Sequence, residues 1–231
     1  MSRYGIDHEA LIQQFSQATA KQGEALRKAV EQSTLRALQG RELTLKSVRE
    51  VLKSTTHAAS AGAANSGLGR TDVEALLTRA VEGMDAALVK AVDANRRALE
   101  QFVDQGAELG QTQVKKALAE IEKMEDVLFS SVDKAVVDAA QAVQAPWALV
   151  LEGFKAKGSA TGASATAALE QLTTRARAAS RDGRALTQGS VEAWTEHHTA
   201  LARGVLIGLS AGLEAGVGAP AREAAARSRK R

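Results

Sequence analysis

Cysteine is absent from this chain of 231 residues, proline occurs twice, and aromatic residues make up 3% of it. Without cysteine there are no disulfides and no thiolate metal sites, which suits a reducing compartment. With proline only at positions 146 and 220, little in the backbone interrupts very long helices. With so few rings, the apolar 45% leans on alanine, which favours helix but buries little area. Such a chain gains stability from length of contact more than from a thick core. No run of about 18 uncharged apolar residues is present, so no spanning helix is expected. The first nine residues contain no apolar stretch, so no signal peptide is expected.

Charge is unevenly placed. The whole chain carries +3, whereas Arg222, Arg227, Arg229, Lys230 and Arg231 against Glu223 give the tail +4, so residues 1–220 sum to −1. A neutral body argues against helices that wrap nucleic acid.

What the chain does have is an eleven-residue apolar period. One row runs Leu77, Leu88, Leu99, Gly110, Ile121, Val132, Val143; a second runs Val81, Val92, Val103, Val114, Glu125, Val136; a third runs Met84, Asn95, Gly106, Ala117, Leu128, Ala139. Eleven residues in three turns is about 3.67 per turn, close to the relaxed helix, so the stripe stays on one side without a left-handed supercoil. The rows keep phase past Gly106 and Gly110, where a turn of arbitrary length would reset them. The expectation is one helix of about 75 residues, on the order of 110 Å long. Asn95 reads as a register device and Glu125 as an edge position reaching solvent.

The remaining segments follow from caps and breakers. Asp7 is a good N-cap, with Ile6 and Leu11 placed as a hydrophobic staple. Leu11, Ile12, Phe15, Leu26 and Val30 then give an amphipathic face, resumed by Leu38, Val48, Val51 and Leu52. From Ser54 the pattern fades into small residues up to Arg70, which read as a linker. Thr71 and Glu74 match a capping box at the start of the ladder. Pro146 is expected to end the ladder and to serve as an early position of the next helix. That helix opens strongly with Trp147, Val150, Leu151 and Phe154 and continues as a thin stripe, with the run from Gly158 to Gly162 as the place for any break. The organisation expected is a first amphipathic helix in 1–55, a linker in 56–70, a long helix in 71–145, a third in 146–218 and a basic disordered tail in 219–231. The fold class is all-α, an elongated antiparallel bundle of about three very long amphipathic helices in up-down-up order.

Two features near the end stand apart. Gly204, Gly208, Gly212 and Gly216 lie four apart among Val205, Leu206, Ile207, Leu209 and Leu213, as in a groove that receives another backbone. A tight helix-packing seam is the plainer reading, and interfacial insertion or self-association the functional one. The tail residues Arg227, Arg229, Lys230 and Arg231 would attract an anionic surface weakly and in a salt-sensitive way.

Reaction chemistry is hard to find. His197 and His198, with Glu192 and Glu196, are the densest potential metal ligands, but adjacent histidines point about 100° apart on a helix and do not form a zincin pair. Gly67–Leu68–Gly69–Arg70–Thr71 precedes a helix but lacks the lysine and strand of a phosphate loop. The Lys and Glu residues of 115–125 form a solvated face. Trp147 and Trp194 read as packing anchors, with an interfacial role as the alternative. No catalytic, cofactor or metal residues are expected, and the chain is read as a non-enzyme.

The stripe from Val73 to Val143, the opening Ile12–Thr19 and the cysteine-free, alanine-rich texture resemble the bacterial phasins, which coat polyhydroxyalkanoate granules. The texture also looks like that of long-helical bacterial proteins to which no role attaches. Eleven-residue amphipathic repeats recur in lipid-surface proteins such as apolipoproteins and in desiccation-protective proteins. The phasin resemblance implies a cytoplasmic, non-enzymatic, surface-active role and transfers no individual residue. On this reading Leu77, Leu88, Leu99, Ile121, Val132, Trp147 and Phe154 adhere to a hydrophobic granule or lipid surface. Stripes left unpaired by the shorter first segment would also drive homo-oligomerisation. The rival is a coiled-coil-like scaffold whose stripes are buried in protein, and a third class is nucleic-acid association through the tail.

Overall fold

A computed structural model describes residues 7–17, 23–39, 44–104 and 112–183. These form helices α1 (His8–Gln17), α2 (Gly23–Leu38), α3 (Leu45–Ala64), α4 (Arg70–Asp104), α5 (Thr112–Glu122), α6 (Met124–Val137), α7 (Gln141–Lys157) and α8 (Ala160–Gly183), with no strand among the described residues. The all-α class holds and the helices pack as a bundle. Three very long helices do not form.

The start of α1 follows the expected rule. The Asp7 side chain accepts from the Ala10 backbone N–H at 3.1 Å, relieving one of the donors that a helix N-terminus leaves open. Ile6, the proposed staple partner, lies outside the described residues. The capping box sits elsewhere than expected. Thr44 and Ser47 cap α3 reciprocally, Ser47 N–H to Thr44 Oγ1 at 3.2 Å and Thr44 N–H to Ser47 Oγ at 3.0 Å. Thr71 is already inside α4 and exposed, and Glu74 instead pairs with Arg70 at 3.1 Å. The first turn of α4 closes on the Gly69 carbonyl, which accepts from Val73 at 3.0 Å.

The linker expected over 56–70 is the largest departure. Residues up to Ala64 are helical, and the small side chains of α3 are among the most deeply buried in the chain: Thr55, Thr56, Ala58, Ala59, Ser60 and Ala63. Small size here serves close approach. A Cβ on Gly62 would overlap the Phe15 side chain and lie 2.8 Å from the Ile12 carbonyl, so α1 sits directly on α3. The hydroxyls are satisfied without solvent. Thr55 and Thr56 donate back to the carbonyls of Val51 (3.1 Å) and Leu52 (2.8 Å). Ser60 Oγ accepts from the indole N–H of the fully buried Trp147 at 2.9 Å. Only Asn65–Gly69 connects α3 to α4.

The single helix expected over 71–145 is broken twice within the described residues. Lys123 interrupts α5 and α6 by one residue, too short a break to shift the phase of the stripe. At Asp138–Ala140 the chain turns back, so that α7 runs against α6, with Asp133 paired to Lys155 and Glu125 bonded to Ser159. No glycine or proline marks this turn. Gln144 Nε2 closes it by donating to the Ala139 carbonyl at 3.0 Å, and the turn brings Trp147, Val150 and Leu151 into the core. Pro146 therefore neither ends the ladder nor opens the next helix; it lies inside α7 and is buried there. A continuous third helix is also corrected. The break falls at Gly158–Ser159, within the run singled out for it, with Gly158 at φ 75°.

Direction is the remaining correction. α2 and α4 run parallel, since Gly23 approaches Arg79, Arg27 and Val30 approach Gly83, and Glu31 pairs with Lys90 at 2.7 Å. α4 and α8 are parallel too: the start of α8 lies at Asp85, and Arg175 pairs with Asp104 at 2.8 Å. The up-down-up order expected of the second and third segments does not hold: Asp104 lies at the Arg175 end of α8 and Glu125 at its Ser159 start, so α5 and α6 lead back along α8 before the α6–α7 hairpin reverses the chain once more.

Candidate functional site

The residues expected to form an adhesive surface line the core of the bundle. Leu77, Leu88, Ile121, Val132 and Trp147 are fully buried and Leu99 nearly so, while Phe154 is half-buried. All described members of the first ladder row, Val143 included, are buried. In the second row only Glu125 and Val136 are partly open, and in the third Met84, Asn95 and Leu128 are buried. The period therefore marks the buried side even where the helix itself breaks. Large apolar side chains exposed among the described residues are Val137 at 75% and Leu149 at 47%. The unpaired stripes offered as a cause of self-association are covered here by helices of the same chain.

The other named residues fall elsewhere. Gly204, Gly208, Gly212, Gly216, Trp194, the pair His197–His198 and the tail residues Arg227, Arg229, Lys230 and Arg231 lie outside the described residues. Among the described residues no cluster of His, Asp and Glu could hold a metal ion, and no helix is long and apolar enough to cross a membrane.

The most organised polar site surrounds the start of α8. Asp85 comes from the middle of α4 and is 5% exposed. Its two carboxylate oxygens accept from the backbone N–H groups of Ala160 and Thr161, each at 2.9 Å, and its carbonyl accepts from Thr161 Oγ1 at 3.1 Å. Glu125, on α6, accepts from Ser159 N–H at 2.9 Å and Ser159 Oγ at 2.7 Å. Ser159 Oγ in turn accepts from Gly162 N–H at 2.9 Å, as an N-cap does. Gly162 leaves room for the Glu125 carboxylate, which a Cβ at that position would displace. Two carboxylates from two helices thus occupy the positive end of a third. Glu125 does not reach out to solvent as an edge residue; it is half-buried and engaged.

These contacts weigh heavily because α8 brings little apolar bulk. Its buried apolar side chains are Ala165, Ala168 and Leu172. A hydrogen bond to a charged group contributes about 1.5–3 kcal/mol, as much as the roughly 2 kcal/mol for burying a leucine such as Leu172. The far end of α8 adds an exposed bidentate pair, Arg175 Nε and Nη2 each 2.8 Å from Asp104. Hydrogen bonding to Asp104 raises the Arg175 pKa further above its ordinary value. Glu31 with Lys90 and Asp133 with Lys155 also join two helices, whereas pairs such as Arg96 with Asp93 and Glu100 lie along one. Hydrogen bonds from Arg27 hold the Glu24 carboxyl below its usual range.

The Asp85–Glu125 site escapes a reading for motifs, since its members lie far apart in sequence and belong to none. Two local signals point to it. Asp85 is an acid beside the ladder residues Met84 and Leu88, and Ser159 directly after a glycine is well placed to cap a helix. The site has the chemistry of a structural tie between the start of α8 and helices α4 and α6.

Fold and site together define a helical bundle built on amphipathic and small-residue helices, with its polar side chains engaged in joining them. The chain belongs to DUF6781, a family of unknown function whose model matches residues 1–215. No curated protein and no solved structure matches it.

Proposed function

We propose that this protein is a non-enzymatic, cytoplasmic coat and interaction protein, phasin-like in its physics. In this reading its amphipathic helices close on one another in the free chain and transfer to a hydrophobic granule or lipid surface. The observation that carries the reading is the composition of the α4–α6 stripe and of what covers it. Leu77, Leu88 and Leu99 form a row along α4 that could follow a surface, with Ile121 and Val132 buried on α5 and α6. On the α8 side, what is packed against α4 is small apart from one leucine: Thr161, Ala165, Ala168 and Leu172. Parting such helices gives up little apolar area, and a surface that covers the same row returns it. Self-association belongs to the proposal through the glycine ladder Gly204–Gly216, and a weak anionic partner through the tail.

Co-sedimentation of the purified chain with poly(3-hydroxybutyrate) granules and with phosphatidylcholine-coated triolein droplets tests the reading. Enrichment on either is the expected result. No enrichment, together with a sharp cooperative melt in free solution, favours a closed scaffold.

That scaffold reading rests on a separate observation. Cross-helix polar pairs, Trp147 with Ser60 and Thr34 with Thr55, specify one closed arrangement. Under it, Leu88→Asp with Leu99→Asp unfolds the protein whatever surface is present. Nucleic-acid association through the tail makes a different demand: binding is lost on deleting residues 221–231.

A further inference from the structure

We propose that α8 is a hinged arm, turning at Gly158 and latched to the bundle by Asp85 and Glu125, whose release uncovers the stripe of α4 between Asp85 and Asp104. The joint has the required freedom. Gly158 sits at φ 75°, and a Cβ built there meets nothing within 4 Å, so the glycine itself is not packed against another element. On one side of it α7 is fixed by Trp147, buried completely and bonded to Ser60. On the other side α8 is attached at its two ends by charge and between them by two alanines and a leucine.

The latch is separable because neither carboxylate belongs to the arm. When α8 leaves, its first N–H groups and both carboxylates gain water, and no apolar interlock has to break as it would where Gly83 meets α2. The surface uncovered follows from helix geometry. Leu88, Val92, Leu99 and Val103 lie at three- and four-residue steps from Asp85 and share its side of α4, the line that ends beside Asp104. All four belong to rows of the eleven-residue ladder, Leu88 and Leu99 to the first and Val92 and Val103 to the second, so the arm covers part of the segment expected to adhere. Its purpose rests on the coat reading; its mechanics do not.

Amide hydrogen exchange on the full chain, compared with Asp85→Asn, Asp85→Ala and Glu125→Gln, tests the arm. Exchange over 160–178 should quicken by roughly tenfold or more in the Asp85 variants, while α1–α3 keep wild-type protection. Unchanged exchange in α8, or loss of protection spread evenly over the bundle, overturns the proposal. Should Asp85→Ala fail to fold, Asp85→Asn and Glu125→Gln carry the same comparison with the side-chain volume retained. The cysteine-free background allows a tether: Asp104→Cys with Arg175→Cys, joined by a short bis-maleimide, should restore α8 protection in the Asp85→Asn protein. The tether should also abolish binding to phosphatidylcholine-coated triolein droplets that the untethered protein retains. If the exchange results hold and neither form binds droplets, the arm stands and the coat reading falls. If Asp85→Asn leaves α8 protected, the arm falls whatever the droplets show.

Discussion

α4 is flanked by two helices parallel to it, and they are held in opposite ways. Against α2 its backbone comes close enough that a Cβ on Gly83 would lie 2.6 Å from the Arg27 carbonyl and 2.8 Å from Val30 Cβ. Leu26, Val30, Leu35 and Leu38 fill that side from α2. Against α8 the contact is two alanines, one leucine and the capping carboxylate of Asp85 on α4 itself, with Glu125 of α6 beside it. Close apolar packing loses its contacts as soon as the helices separate by an ångström or so. A capped helix end gives up its partners to water at about 1.5–3 kcal/mol for each bond to a charged group, without parting closely packed apolar surfaces. The same strut therefore has one permanent neighbour and one removable neighbour.

The strongest way to break this comparison is to damage the strut itself. Leu88→Asp places a charge at a fully buried position and should lower stability by more than about 4 kcal/mol, unfolding the chain as read by circular dichroism. Gly83→Val attacks the permanent side alone and should lower stability by about 3 kcal/mol in urea denaturation, with protection lost in both α2 and α4. Leu172→Ala attacks the removable side. It should weaken the docking of α8 by roughly 2 kcal/mol, seen as faster exchange in α8 with a much smaller change in the urea midpoint; equal effects of Gly83→Val and Leu172→Ala on the midpoint would erase the distinction.

The smallest effect sharpens the electrostatics of the α2 side. Because Arg27 depresses the Glu24 pKa, the stabilisation from this pair is present above the usual carboxylate range and lost as pH falls through the folded-state value. Glu24→Gln should differ slightly from wild type at neutral pH and converge with it in acid. A gap that widens on acidification contradicts the assignment. Urea titrations at both pH values make the measurement.

Much of this layout was legible in residue order, and some of it was not. The cap at Asp7 follows from local chemistry and holds; the period groups Leu77, Leu88, Leu99, Ile121 and Val132 but leaves open whether a helix or a surface covers them, and in the fold they are buried. Residues 54–64 misled because the composition that makes a linker also permits close helix contact; only the partner, here Phe15 on Gly62, decides between them. The reversal at Asp138–Ala140 carries no breaker, so local propensity favours continuing the helix. The gain that overrides it is the burial of Trp147 against Ser60, a contact 87 residues apart in sequence. Glu125 looked like a flaw in an apolar row. It is an apolar row's one polar tie to α8, and its partner Ser159 lies 34 residues on.

The parallel pairing of α4 with α8 also dictates an order of events during folding. Asp85 meets Ala160 and Thr161 across separations of 75 and 76 residues, whereas Thr34 meets Thr55 across 21. The longer loop is the more costly to close in chain entropy, and it closes on an orientation that no simple hairpin supplies. On a ribosome, α1 to α4 can assemble before α8 has been synthesised, leaving Leu88, Val92 and Leu99 uncovered in the interval. The nascent chain thus passes through a state in which this apolar row of α4 is open, and docking of α8 is the step that ends it.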